Sequence, residues 1–230
     1  MTDQESAAAA FFEAIRKGND LDIDTALAAN EGLLHARDEA GLSPVLAAAY
    51  AGRSKLAMRL AALAAGTPDG LDFFDAAAVG NVTVVRALLT ADRASVDDRG
   101  PDGYTALHLA AYFAQLEVAR LLLGRGADPN AVTLNGARVT PLHSAVAAKH
   151  RDTASLLLAL GASPNAVQRG GFTALHIASR DGDEAIVDML LLRGADATRA
   201  SDDGKTSIDL AVENGHAALA GLLRSHASKR

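Results

Sequence analysis

The sequence predicts an all-α solenoid of about seven helix–turn–helix units, and three observations predict it. Residues 105–132 hold two short apolar runs at helical spacing, parted at Ala114–Gln115 and ended by Gly124 and Gly126. The opening of that stretch recurs at Thr140–His143, Thr173–His176 and Thr206–Asp209, with spacings of 35, 33 and 33 residues. Its end recurs too, as Gly126–Ala131, Gly161–Ala166 and Gly194–Arg199. A fixed period of this length marks a stack in which each unit packs only on its neighbours.

Each unit opens on a threonine before an Ala-rich run. The hydroxyl of a threonine there accepts a hydrogen bond from a free N–H of the first turn, so the helix starts at a defined residue. The Thr-Pro/Ala-Leu-His opening, repeated at about 33 residues, resembles the ankyrin repeat. The resemblance rests on specific motifs over residues 99–230 and on period alone over residues 5–98. It implies helix pairs joined to short β-turn fingers, with a concave surface that contacts partner proteins.

Upstream, Ser43-Pro44-Val45-Leu46 aligns with the motif, Ser43 as cap and Pro44 at the first helical position, where its missing N–H does no harm. Phe11-Phe12-Glu13-Ala14 and Phe73-Phe74-Asp75-Ala76 form two degenerate openings 62 residues apart, each followed by Gly-Asn. Unit starts then fall near residues 9, 43, 71, 105, 140, 173 and 206. The expected division is a degenerate N-terminal capping repeat at 1–38, a short repeat at 39–70 and a degenerate repeat at 71–98. Three well-matched repeats at 99–199 and a C-terminal capping repeat at 200–230 complete it. The 28-residue interval leaves only Gly66–Gly70 as a connection, so no finger is expected there. The 35-residue interval lengthens the finger within Thr133–Val139, with Asn135-Gly136 at its tip. Polar residues mark the caps: Arg16, Lys17, Asp20, Asp22 and Asp24 at one end, Arg224, His226, Lys229 and Arg230 at the other.

Composition narrows the function. The chain has no Cys, so disulfides, thiolate metal sites and Cys nucleophiles are excluded. A net charge of −6 argues against a nucleic-acid partner, which needs clustered Lys and Arg. No apolar run approaches the length of about 18 residues that spans a bilayer, and the first residues lack the basic start of a signal peptide. A cytoplasmic protein without membrane association is expected. Ala, 51 of 230 residues, suggests a GC-rich bacterial source and a stand-alone domain.

Three motifs that imitate chemistry have a structural reading. His108, His143 and His176 recur one per unit; ligands a repeat apart do not converge on one zinc ion. The resemblance makes them hydrogen-bonding residues at helix starts, linking adjacent units. Gly204-Lys205-Thr206 lacks the upstream Gly of a P-loop and reads as a finger turn and cap. Asn81-Val82-Thr83 matches a glycosylation sequon, but no export signal accompanies it. Asn130 and Asn165 fall at the loop position that is hydroxylated in animal members of the family and read here as loop-stabilising. No catalytic constellation, metal site or cofactor site is expected.

The aromatics carry the functional expectation. Phe11, Phe12, Phe73 and Phe74 fall in degenerate helices and read as core. Tyr104 and Phe172 directly precede a capping Thr, while Tyr50, Tyr112 and Phe113 fall near the end of a first helix. The resemblance places these on the concave surface, and rigid amphipathic rings are enriched at interface hot spots. The alternative is packing between neighbouring units. Arg180 joins the aromatics in the expected protein-binding set, with Arg138 and Lys205 on its rim. The reading is a monomeric, non-catalytic module that binds another protein on its concave face and finger tips. Its alternative is an accessory subunit of an enzyme, or a small-ligand binder near 66–70.

Overall fold

The computed structural model describes residues 3–67, 69–92 and 94–228. Met1, Thr2, Pro68, Arg93, Lys229 and Arg230, part of the expected N-terminal cap, short connection, degenerate repeat at 71–98 and C-terminal cap, lie outside the described residues.

The described chain folds into seven helix pairs. They are α1 (Asp3–Lys17) with α2 (Asp20–Ala29), α3 (Pro44–Tyr50) with α4 (Ser54–Ala65), and α5 (Phe73–Val79) with α6 (Val82–Thr90). Then follow α7 (Ala106–Tyr112) with α8 (Leu116–Gly124), and α9 (Pro141–Ala147) with α10 (Arg151–Ala159). The last two are α11 (Ala174–Arg180) with α12 (Glu184–Leu192) and α13 (Ser207–Glu213) with α14 (Ala217–Ala227). A 3-10 turn at Glu31–His35 follows α2. The odd-numbered, inner helices touch one another in sequence from α1 to α13.

Seven-residue inner helices cannot hold themselves together in water, because nucleation costs more than two turns return. Burial between units does it instead. Leu107, Leu122, Leu142, Leu157, Leu175 and Leu190 are withdrawn from solvent in one continuous core. Alanines between them, such as Ala110, Ala145 and Ala178, let neighbouring inner helices approach closely.

Caps fix where the helices begin. Thr105 accepts from the His108 N–H, and the His108 ring returns a bond to the Thr105 backbone; Thr140/His143 and Thr173/His176 repeat the arrangement. Thr206/Asp209 does the same with a carboxylate in place of the ring. Asp72 caps α5, one residue later than the expected start near residue 71, and stands 33 residues before the Thr105 cap. The first helix begins at Asp3 rather than near residue 9, because Ala7–Ala10 extend it backwards with high propensity.

One left-handed residue turns each inner helix into its outer partner: Gly18, Gly52, Gly80, Ala114, Lys149, Gly182 and Gly215. The turn requires positive φ, which glycine adopts freely and Ala114 and Lys149 adopt at a cost.

Fingers precede α3, α7, α9, α11 and α13, each closed by a backbone bond such as Asp38 N–H to Leu42 O or Thr133 N–H to Val139 O. Between α4 and α5 the chain passes from Gly66 to the Asp72 cap, and among the described residues no such closure is present. The last four fingers are bonded in a row. Leu134 N–H meets Gly103 O, Arg169 N–H meets Ala137 O, and Asp202 N–H meets Gly170 O. Where a finger is absent its neighbours close up: the first finger's Gly41 lies directly on Pro101, so closely that a Cβ there would sit 2.8 Å from the proline Cβ.

Candidate functional site

Two rows of side chains line the face made by inner helices and fingers. The first row is the last residue of each inner helix from α3 to α13: Tyr50, Val79, Tyr112, Ala147, Arg180 and Glu213. The second is the residue before each helix cap in the fingered units: Leu42, Tyr104, Val139, Phe172 and Lys205. The solenoid repeats these positions, so residues far apart in sequence become neighbours on one surface.

Tyr50, Tyr112 and Phe113 form one aromatic cluster. Ring centroids are 5.5 Å apart for Tyr50–Phe113, 5.1 Å for Tyr112–Phe113 and 6.3 Å for Tyr50–Tyr112. Such tilted and edge-on contacts stabilise the set beyond its buried area. The cluster divides in exposure. Tyr50 and Tyr112 keep 39% and 44% of their surface in solvent, whereas Phe113 and Tyr104 pack on Leu46, Ala78 and Leu109. Phe113 and Tyr104 therefore fill space between units and support the two exposed rings. Tyr50 is held by its hydroxyl, which donates to Asp102 Oδ2 at 2.7 Å. Burial of the ring and the adjacent Asp102 carboxylate push the Tyr50 phenol above its ordinary range.

Beside the cluster the face opens into a cavity of about 320 Å³, walled by Tyr50, Tyr104 and Tyr112 on one side and Ile177 and Arg180 on the other. Its cause is a change of side-chain size in one unit. At the fifth residue of the motif stand Leu109, Ile177 and Leu210, but Ser144. At the helix end stand Tyr112, Arg180 and Glu213, but Ala147. Two small residues in register leave a notch between larger neighbours.

His108 and His143 line this notch, and all three repeat histidines, His176 included, are buried. Thr105 N–H donates to His108 Nδ1 at 3.2 Å, which places the ring proton on Nε2, and that N–H donates to Val139 O of the next unit at 2.9 Å. His176 makes the matching pair, to Thr173 and to Lys205 O at 3.2 Å. His143 keeps the Thr140 bond. Its Nε2 faces the Phe172 carbonyl without reaching full hydrogen-bond geometry. Burial pushes His108 and His143 down to about 4, and lowers His176 as well. Neutral rings locked between units are structural linkers.

The remaining expected residues fall outside the cavity. Phe172 stacks edge-on against His176 at 5.6 Å and is partly buried. Lys205 pairs with Glu213 at 2.7 Å, at the next rung. Arg138 is exposed at the finger, immediately before the lining residue Val139. Sequence reasoning missed Ser144, Ala147, Gln168 and Ile177 as cavity residues, and Asp102 as the anchor of Tyr50. The size alternation at the fifth and eighth motif positions was the available signal for the first two.

Loop amides tie the outer edge. Asn130 donates to Gly161 O and accepts from Ser163 N–H, and Asn165 does the same with Gly194 O and Asp196 N–H. Asn81 accepts from the Val84 N–H and so caps α6.

Comparison with known proteins agrees with this geometry. A family profile described as ankyrin repeats (3 copies) matches residues 73–133 and 142–229, and one described as ankyrin repeats (many copies) matches 110–158. The BTB/POZ domain and ankyrin repeat-containing protein NH5.2 of Oryza sativa subsp. japonica is 48% identical over 32% of this chain and 16% of its own length. Ankyrin repeat and SOCS box protein 3 of Bos taurus is 43% identical over 58% of this chain and 26% of its own length. Protein phosphatase 1 regulatory subunit 27 of Mus musculus is 32% identical over 71% of this chain and 83% of its own length. The chain thus spans 16% and 26% of the lengths of the first two of these relatives. All three are eukaryotic and lend no support to the bacterial source, or to the stand-alone arrangement, inferred from composition.

Proposed function

We propose, on the premise that this chain belongs to the ankyrin-repeat family of protein-interaction modules, that its inner face binds a partner protein without catalysis. The observation that carries the reading is the exposed pair Tyr50 and Tyr112, fixed in place at the mouth of the notch. Tyr112 leans on Phe113, and Tyr50 is bonded to Asp102. Rings already held in position lose little freedom when a partner arrives, so more of the contact energy appears as affinity. Arg180 completes the far wall, and Arg138 and Lys205 flank the face along the fingers. The module acts as a cytoplasmic monomer, with neither nucleic acid nor membrane as partner. No described helix is long and apolar enough to cross a membrane. The test is affinity capture from the native host with the wild type and with Tyr112→Ala. Proteins held by the first and lost by the second support the reading; an unchanged captured set refutes it.

A second reading is favoured by two observations. One relative is named a regulatory subunit of a phosphatase, which fits a role as accessory to an enzyme. A separate cavity of about 370 Å³, lined by Asp69, Leu71, Phe73 and Leu88, lies at the fingerless connection, where a small ligand would fit. Thermal-shift screening separates the ligand case, because a ligand at a hundredfold over its dissociation constant adds about 2.7 kcal/mol.

A further inference from the structure

Charge is unevenly distributed along the inner face. The finger and inner helix of the fifth unit, residues 135–147, contain Arg138 and no acid, and the turn after them adds Lys149. The corresponding residues of the sixth, 168–180, contain Arg169 and Arg180 and no acid, and the turn after them, through Gly182, adds Asp181. Next to them the balance reverses. Residues 38–50 carry Asp38 and Glu39 with no base, 101–113 carry Asp102 alone, and 200–213 carry Asp202, Asp203, Asp209 and Glu213 against Lys205. In a chain of net charge −6, four bases against the single acid Asp181 on the inner helices, fingers and following turns of two adjacent units are a local reversal of sign.

These bases are available. Among the described residues no acid pairs with Arg138, Lys149 or Arg169, and all three are exposed. Arg180 lies 2.8 Å from Asp181, with half of its side chain in solvent. Arg180 forms a wall of the notch, and the other three are chain neighbours of lining residues: Arg138 adjoins Val139, Arg169 adjoins Gln168, and Lys149 follows Ala147 by two residues. The notch itself has an apolar lining of Leu109, Ala147, Ile177 and the tyrosine rings. At about 320 Å³ it sits at the small end of ligand cavities, which run from about 300 to 1,000 Å³. That size suits a single large side chain.

We infer that the partner presents an acidic segment, which inserts one aromatic or long aliphatic side chain between Tyr112 and Ile177 and lays its carboxylates along the fifth and sixth units. This inference rests on the inner-face reading above and adds the chemistry of what that face takes. A guanidinium such as that of Arg180 offers two parallel N–H donors to a carboxylate, which fixes direction as well as charge. The acidic ends of the face repel the same segment and so hold it in register over the basic units.

The test is selection of a random dodecapeptide phage library on the full chain, followed by affinity measurement of the enriched synthetic peptides. They are measured against the wild type, Arg180→Glu, Arg138→Glu and Ala147→Phe. Ala147 and Arg180 are exposed at helix ends, and thermal melts verify that each variant is folded. The expected result is enrichment of acidic peptides with one aromatic or aliphatic anchor. Arg180→Glu should weaken them about tenfold, or roughly 1.4 kcal/mol, Arg138→Glu should weaken them by a smaller factor, and Ala147→Phe should abolish binding by filling the notch. Affinity should also fall with added salt. Neutral or basic peptides that are lost with Ala147→Phe but indifferent to Arg180→Glu overturn the acidic partner and leave the inner face standing. Peptides indifferent to every variant overturn both. Failure to enrich any peptide, or tighter binding of a single-stranded oligothymidine, overturns the inference.

Discussion

The Tyr50 hydroxyl reaches across an entire unit to the Asp102 carboxylate, 52 residues away in sequence and 2.7 Å away in space. The unit between them has no finger, and Gly41 meets Pro101 in the same gap. The second and fourth units are therefore clasped directly. Tyr50→Phe and Asp102→Asn should each lower stability by about 1 kcal/mol, the usual net value of one hydrogen bond. A double-mutant cycle by chemical denaturation should show the two losses to be coupled. Additive losses would mean that the clasp carries no energy. Ultraviolet titration should also find one tyrosine resisting ionisation well above the usual value of about 10, and Tyr50→Phe should remove it.

Stability should respond to pH through two opposed sets of groups. Asp75 stands where regular units carry His, buried to 5% exposure, and accepts a hydrogen bond from Ser43 of the preceding unit. Burial, with the nearby Asp72 carboxylate, pushes it from 3.8 up to about 7, against the pull of Ser43 and Arg37. The folded state then keeps a proton that the unfolded chain releases, so this contribution is full below 3.8 and is lost as pH rises to about 7. His108 and His143, lowered from 6.5 to about 4, act oppositely: their contribution is full above 6.5 and is lost as pH falls toward 4. Asp75→Asn should stabilise the protein at pH 7 and above and change little near pH 4. Equal effects at both pH values would show that Asp75 is ionised in the fold.

Much of this architecture is legible in the sequence, because the capping Thr and its His partner recur wherever the chemistry of the helix start is kept. It fades at the third unit, where Asp72 and Asp75 replace both residues. It fades at the first, where Ala7–Ala10 carry no boundary signal. The aromatic cluster could be placed on one face by register, but its division into support and exposed rings could not. Phe113 and Tyr112 are adjacent in the chain, and only the position of Leu46, Ala78 and Leu109 separates their roles.

The left-handed turns give a stabilising prediction. Ala114 (φ 59°) and Lys149 (φ 61°) are exposed and occupy a conformation that five other units fill with glycine. Left-handed backbone costs an L-residue about 1–2 kcal/mol, partly offset by the greater freedom of unfolded glycine. Ala114→Gly and Lys149→Gly should each raise the melting temperature, by somewhat under 1 kcal/mol of stability. A decrease would show that their side chains make contacts that matter more than the backbone does.

Leu122 tests the stacking register. It is fully buried on α8 in the inter-unit core. Leu122→Ala should cost about 2–5 kcal/mol in denaturant unfolding, and unaltered stability would place it on the wrong face.

The most direct test of the inner-face account is the affinity of a captured partner for the Tyr112→Ala variant, measured beside its melting temperature. The account predicts binding weakened about tenfold or more with the melting temperature nearly that of the wild type, since Tyr112 is 44% exposed. Unchanged affinity, or a melting temperature lowered by many degrees, would contradict it.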